Sequence, residues 1–79
     1  MTRVAYPPSK IYLVLGYSLR ETEKAVLIAV HEVEGASVDE VKNYWFPKTQ
    51  IVDQKLNEDP EEFDRFNIKE WIMGQHNLV

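Results

Sequence analysis

Ile11-Tyr12-Leu13-Val14-Leu15-Gly16-Tyr17-Ser18-Leu19, the polar link Arg20-Glu21-Thr22-Glu23-Lys24, and Ala25-Val26-Leu27-Ile28-Ala29-Val30-His31-Glu32-Val33 carry the strongest structural signal in the chain. In the first segment Ile11, Leu13, Leu15, Tyr17 and Leu19 alternate with Tyr12, Val14, Gly16 and Ser18, the period of two that a β-strand requires. The third segment is apolar on both faces for six residues before His31 and Glu32, as in a strand covered on both sides near its start. A short, fully polar link between two such runs predicts an antiparallel hairpin.

Downstream, Glu34-Gly35-Ala36-Ser37 breaks the pattern, with Gly35 free to take a positive φ. Ser37 and Glu40 match a capping box, which predicts one helical turn over 38–43 before the chain extends again. A third strand is expected near 42–46 and a fourth near 50–53. Pro47 falls at an edge or corner, because proline cannot donate to a ladder. Alternation makes Trp45 the residue expected in the core, with Tyr44 and Phe46 on the other side. From Gln54 onward the chain is polar, acidic and interrupted by Pro60, which predicts an acidic loop over 54–65 or a short exposed helix within it. Phe66-Asn67-Ile68 suggests a brief fifth strand. Ile68, Trp71 and Ile72 then fall on one face of a terminal helix closed by Gly74, with Trp71 docking that helix and the last residues fraying.

Met1 to Ser9 contains Tyr6-Pro7-Pro8 and reads as an extended arm. The 79 residues, 44% hydrophobic, suit one small domain rather than two domains or a disordered chain. The expected architecture is mainly β (small α+β), with four to five short antiparallel strands in a curled sheet or a small SH3- or OB-like barrel, and a short C-terminal helix. Its parts are the arm 1–9, a β core 10–53, the acidic loop 54–65 and a closing strand and helix over 66–76. No stretch reaches the roughly 18 apolar residues of a membrane span, and no basic n-region precedes an apolar run, so a soluble, untargeted chain is expected.

The inventory of reactive groups is short. There is no cysteine, which removes thiol catalysis, zinc ribbons and Fe–S clusters. Serines stand only at 9, 18 and 37, none in a Gly-x-Ser-x-Gly turn, and the two histidines, His31 and His76, show no metal-ligand spacing with carboxylates. The expectation is a protein that binds rather than catalyses, with no cofactor and no metal. His31 is expected at a solvent rim or packed, and His76 beyond the helix.

Charge locates two candidate sites. The net charge of −4 divides into +1 over residues 1–33 and −5 over residues 34–79. Glu58, Asp59, Glu61, Glu62 and Asp64, with Phe63 among them, make either a solvated loop or a patch that repels nucleic acid and attracts a basic partner surface, with Phe63 either its aromatic anchor or tucked back under the loop with Phe66. The second candidate is Tyr44 and Phe46 with Lys42 and Lys48, in which aromatic faces stack bases while lysines neutralise phosphates of a single strand. Tyr12 and Val14 mark a third surface, a sheet face for a partner or for self-association if nothing covers it.

Trp45-Phe46-Pro47-Lys48-Thr49-Gln50-Ile51, followed after the acidic spacer by Ile68-Lys69-Glu70-Trp71-Ile72, resembles the tail of a group of short, mostly uncharacterised bacteriophage and prophage proteins. Those carry a strand running into Trp-Leu-Pro-Lys-Ser-Gln-Ile and a later Ile-Pro-Glu-Trp-Leu segment. The resemblance spans Ala25 to Ile72. Here Phe46 stands for Leu, Thr49 for Ser and Lys69 for Pro, and 35–43 lengthens the hairpin. The resemblance implies a phage setting, a small β-rich domain and the host-cell cytoplasm. It does not imply an activity, but it raises two phage-type roles: binding and inhibiting a host defence or nucleic-acid-processing complex, and handling single-stranded nucleic acid. The chain is expected to act as a monomer or homodimer away from membranes.

Overall fold

A computed structural model describes residues 10–79; the arm expected over 1–9 lies outside the described residues. Five antiparallel strands make one sheet: β1 (Ile11–Glu21), β2 (Ala25–Val33), β3 (Ala36–Pro47), β4 (Ile51–Lys55) and β5 (Asp64–Lys69), followed by a short helix α1 (Glu70–Gln75). Their order is β3-β2-β1-β5-β4, so β1 is central and β3 and β4 are the two edges. The sheet is open, not the closed barrel that was one of the two expected forms. It is nevertheless curled. Laid flat, its edges would lie about 19 Å apart, four strand spacings, yet only a 3₁₀ turn at Lys48–Gln50 joins β3 to β4. A link that short reaches at most about 14 Å. Bending the sheet brings the edges together at that end, where Lys48 N donates to Lys24 O at 2.8 Å and Lys48 Nζ meets Glu21 Oε2 at 2.6 Å.

The β1–β2 hairpin forms as its sequence predicts, with one adaptation. Register shifts between Leu15 and Gly16 and between Ser18 and Arg20 twist the pair, and Gly16 lies tight against β2. A Cβ at Gly16 would sit 2.0 Å from Ala29 O, so no larger residue fits. Between β2 and β3, Glu34 and Gly35 both have positive φ (51° and 81°), the two-residue turn whose twist matches the flanking strands. This turn overrides the capping box. Val33 pairs at once with Ala36 and Glu32 with Ser37, so 38–43 is strand rather than helical turn. The ladder then slips: Val30 pairs with Lys42, leaving Val38 to Val41 to pass His31 alone as a bulge.

The core lies on one face of the sheet. Val14, Val26, Ile28, Val30, Phe46, Phe66 and Ile68 are buried there beneath Ile72 and Met73 of α1. Register explains two corrections. Val26 pairs with Phe46 and Ile28 with Tyr44, so Phe46 shares the core face and is fully buried, whereas Trp45 pairs with Leu27 on the opposite face and is 41% exposed. The expectation that Trp45 fills the core is therefore reversed. Val14 pairs with Phe66 and Tyr12 with Ile68 on the same covered face. Tyr12 and Val14 are thus not the bare surface, and the face carrying Leu13, Leu15 and Tyr17 is the one without the helix.

The C-terminal segment also differs from expectation. β5 begins at Asp64 and β4 runs to Lys55, which shortens the loop from 54–65 to 56–63. Ile68 belongs to β5 rather than to the helix, and Trp71 is exposed while Ile72 and Met73 make the docking face. The helix is closed not by Gly74 but by Asn77 at φ 57°. Asn77 N donates to Gly74 O and Leu78 N to Met73 O, the paired bonds of a Schellman cap. Leu78 packs on the core, so the tail is anchored rather than frayed.

Candidate interaction site

The acidic loop is built around one buried carboxylate. Asp64 opens β5 opposite Gly16 of β1. Its Oδ1 accepts from Asn57 N at 2.8 Å and its Oδ2 from Ser18 N at 3.1 Å, so one side chain ties the start of the loop to the central strand. Charge-assisted bonds of this kind are stronger than those between neutral groups. Asn57 Nδ2 donates in turn to Phe63 O, closing the loop upon itself. Within it, Asp59 Oδ1 accepts from Glu61 N at 2.9 Å and Asp59 O from Glu62 N at 3.0 Å, an Asx-type turn reinforced by a β-turn. Tyr17 OH donates to Pro60 O at 3.4 Å and secures the tip.

Phe63 packs inward, against Tyr17 and His31, rather than standing out as an anchor for a partner. Its ring centroid lies 4.8 Å from that of His31 and 5.3 Å from that of Tyr17, which itself meets His31 edge-on at 5.3 Å. This trio joins β1, β2 and the loop on the face opposite α1, and such contacts favour edge and tilted ring geometries. His31 is therefore a packed histidine.

The six residues picked out by sequence divide in two. Glu58, Asp59, Glu61 and Glu62 are exposed at the tip, whereas Phe63 is half-buried in the aromatic trio and Asp64 is buried as the latch. The ion pairs among the described residues are Lys42–Glu40 and Lys48–Glu21, so the loop carboxylates have no cation partner there. Four uncompensated charges on an ordered turn project a strong local negative potential. Asp64 is not part of that outward surface, contrary to expectation, because both its oxygens are engaged by backbone N–H groups.

The basic-aromatic group does not come together as a stacking platform. Phe46 is in the core, and Tyr44 is half-buried with its ring 6.3 Å from Phe46 and 5.0 Å from His76. Lys48 is held by Glu21, and Lys42 lies 3.8 Å from Glu40. His76, which lies beyond the helix as expected, donates from Nε2 to Trp45 O at 2.8 Å and packs edge-on against Phe46, joining the end of α1 to β3. The residue missed by the sequence reading is Trp45, a large exposed aromatic on the face without the helix. Its signal was the pairing with Leu27, which only the register reveals.

Among the described residues no three His, Asp or Glu side chains converge to hold a metal ion, and no helix is long and apolar enough to cross a membrane. No known protein family, curated protein or solved structure matches this chain.

Proposed function

We propose that this domain is a non-enzymatic interaction protein that presents its acidic loop to a basic surface of a protein partner. The setting implied by the phage-type resemblance makes that partner a component of host defence or nucleic-acid-processing machinery, which the domain binds and inhibits or modulates. The observation that carries this reading is the pre-organisation of the loop. Glu58, Asp59, Glu61 and Glu62 stand on a turn already ordered by Asp64, Asn57, Tyr17 and Phe63. A segment fixed before binding loses little conformational entropy on association, and a concentrated negative charge steers a basic partner into place. The competing role, stacking of single-stranded nucleic acid, loses support from the burial of Phe46 and from the repulsion between phosphates and the loop.

The test compares wild type with E58K/E61K/E62K, three exposed positions outside the latch, as baits in host lysate at low and high salt, with single-strand oligonucleotide binding followed in parallel. The reading predicts a protein with a basic surface, captured by wild type, released by salt and lost with the triple variant. Identical capture by both baits, or salt-sensitive binding of the oligonucleotide by wild type, would contradict it.

A further inference from the structure

The two sheet edges are not equivalent. β3 is blunted by Pro47, by the bulge at Val38 to Val41, and by His76, which occupies the carbonyl of Trp45. β4 carries fewer, a register shift at Val52 and the Asp53 carboxylate on Gln54 N–H, and among the described residues it pairs with β5 alone. Gln54 N–H donates to the neighbouring Asp53 Oδ1 at 2.9 Å, a local contact that pairing with a further strand displaces. On either side of this position stand two exposed apolar residues, Val52 at 56% and Leu56 at 52%. Two opposite charges, Asp53 and Lys55, lie between them. Lys55 pairs directly with Arg65, a like charge on the same face, and such a pair is unfavourable until an acid is brought beside it.

We propose that β4 is the junction of a homodimer, in which a second copy of this chain pairs its own β4 antiparallel about a two-fold axis at Gln54. The local sequence, apolar-acid-Gln-base-apolar, is self-complementary about that axis. Asp53 then faces Lys55 of the second copy, Lys55 faces Asp53 of the second copy, and Val52 faces Leu56 in both directions. Directly opposed residues share a face in an antiparallel pair, so each Lys55–Arg65 repulsion receives a carboxylate and the exposed apolar side chains cover one another. The alternative symmetric registers, centred on Asp53 or on Lys55, oppose like charges. Charge therefore selects one register. Two open five-stranded sheets become one continuous sheet with the acidic loops left free. The paired segment is short, so the dimer is a weak, concentration-dependent one. This proposal does not depend on the partner reading above.

Sedimentation equilibrium of the full chain over low-micromolar to millimolar concentrations tests it. Wild type is expected to dimerise reversibly. D53K and K55D each place like charges across the junction and are expected to weaken self-association at least ~10-fold. An equimolar mixture of the two variants restores the dimer, since one chain then presents two cations and the other two carboxylates. A structural defect in either variant is not rescued in trans, and circular dichroism confirms that both fold. Wild type that stays monomeric throughout, single variants that dimerise like wild type, or a mixture no more associated than its components would each overturn the proposal.

Discussion

Asp64 ends the acidic run, yet its role is opposite to that of its neighbours, because its oxygens face the backbone N–H groups of Asn57 and Ser18 instead of solvent. Removing it orphans two donors in a part-buried site. Asp64→Ala is expected to cost about 3 kcal/mol in urea unfolding, the scale of charge-assisted bonds lost with buried groups left unsatisfied. Trp45 and Phe46 give the second prediction at this scale. Phe46→Ala empties a fully buried position and is expected to cost about 3–5 kcal/mol, whereas Trp45→Ala on the exposed face is expected to stay within about 1 kcal/mol. Equal losses would show that the register is wrong. The sequence made the alternation of Tyr44, Trp45 and Phe46 plain, but a period of two does not say which set faces inward. That choice is made by the partner strand, through Val26 opposite Phe46 and Leu27 opposite Trp45, and a slip of one residue would exchange the two. Asp64 was illegible for a related reason: nothing distinguishes it from Glu62 until β5 is set beside Gly16.

At the scale of elements, signals that were local and chemically specific were legible, and those that depended on competition between two local preferences were not. Gly35 announced a turn with positive φ and supplies one; Ser37 and Glu40 announced a helical turn that the hairpin pairing displaced. The helix shows the same contest. Gly74 looked like the stop, but α1 continues to Gln75, and the left-handed position falls to Asn77, the other residue that tolerates it. Asn77→Val is accordingly expected to lower stability by about 1 kcal/mol, read as a shift of the urea midpoint at unchanged slope. A neutral outcome would mean that the cap does not hold α1 and Leu78 against the core.

Across the whole molecule, curling separates two tasks. The inner face, sealed by Ile72, Met73 and Leu78, holds the fold together, while the outer face carries Trp45, Leu13 and Leu15 beside a loop whose Glu58, Asp59, Glu61 and Glu62 are exposed. Strand number and a C-terminal helix could be counted from hydrophobic patterning. The open form of the sheet could not, because it depends on where the short turn at Lys48–Gln50 brings the two edges. Partner capture as proposed requires the acidic loop to be a fixed feature rather than a solvated tether, and amide hydrogen exchange by NMR measures that most directly. Exchange of the Asn57 and Ser18 amides is predicted to be strongly retarded in wild type, with Glu61 and Glu62 slowed to a lesser degree by their turn, and the protection at Asn57 lost in D64A. Loop amides that exchange at the rate of an unstructured chain in wild type, or a D64A profile identical to wild type, would contradict the account.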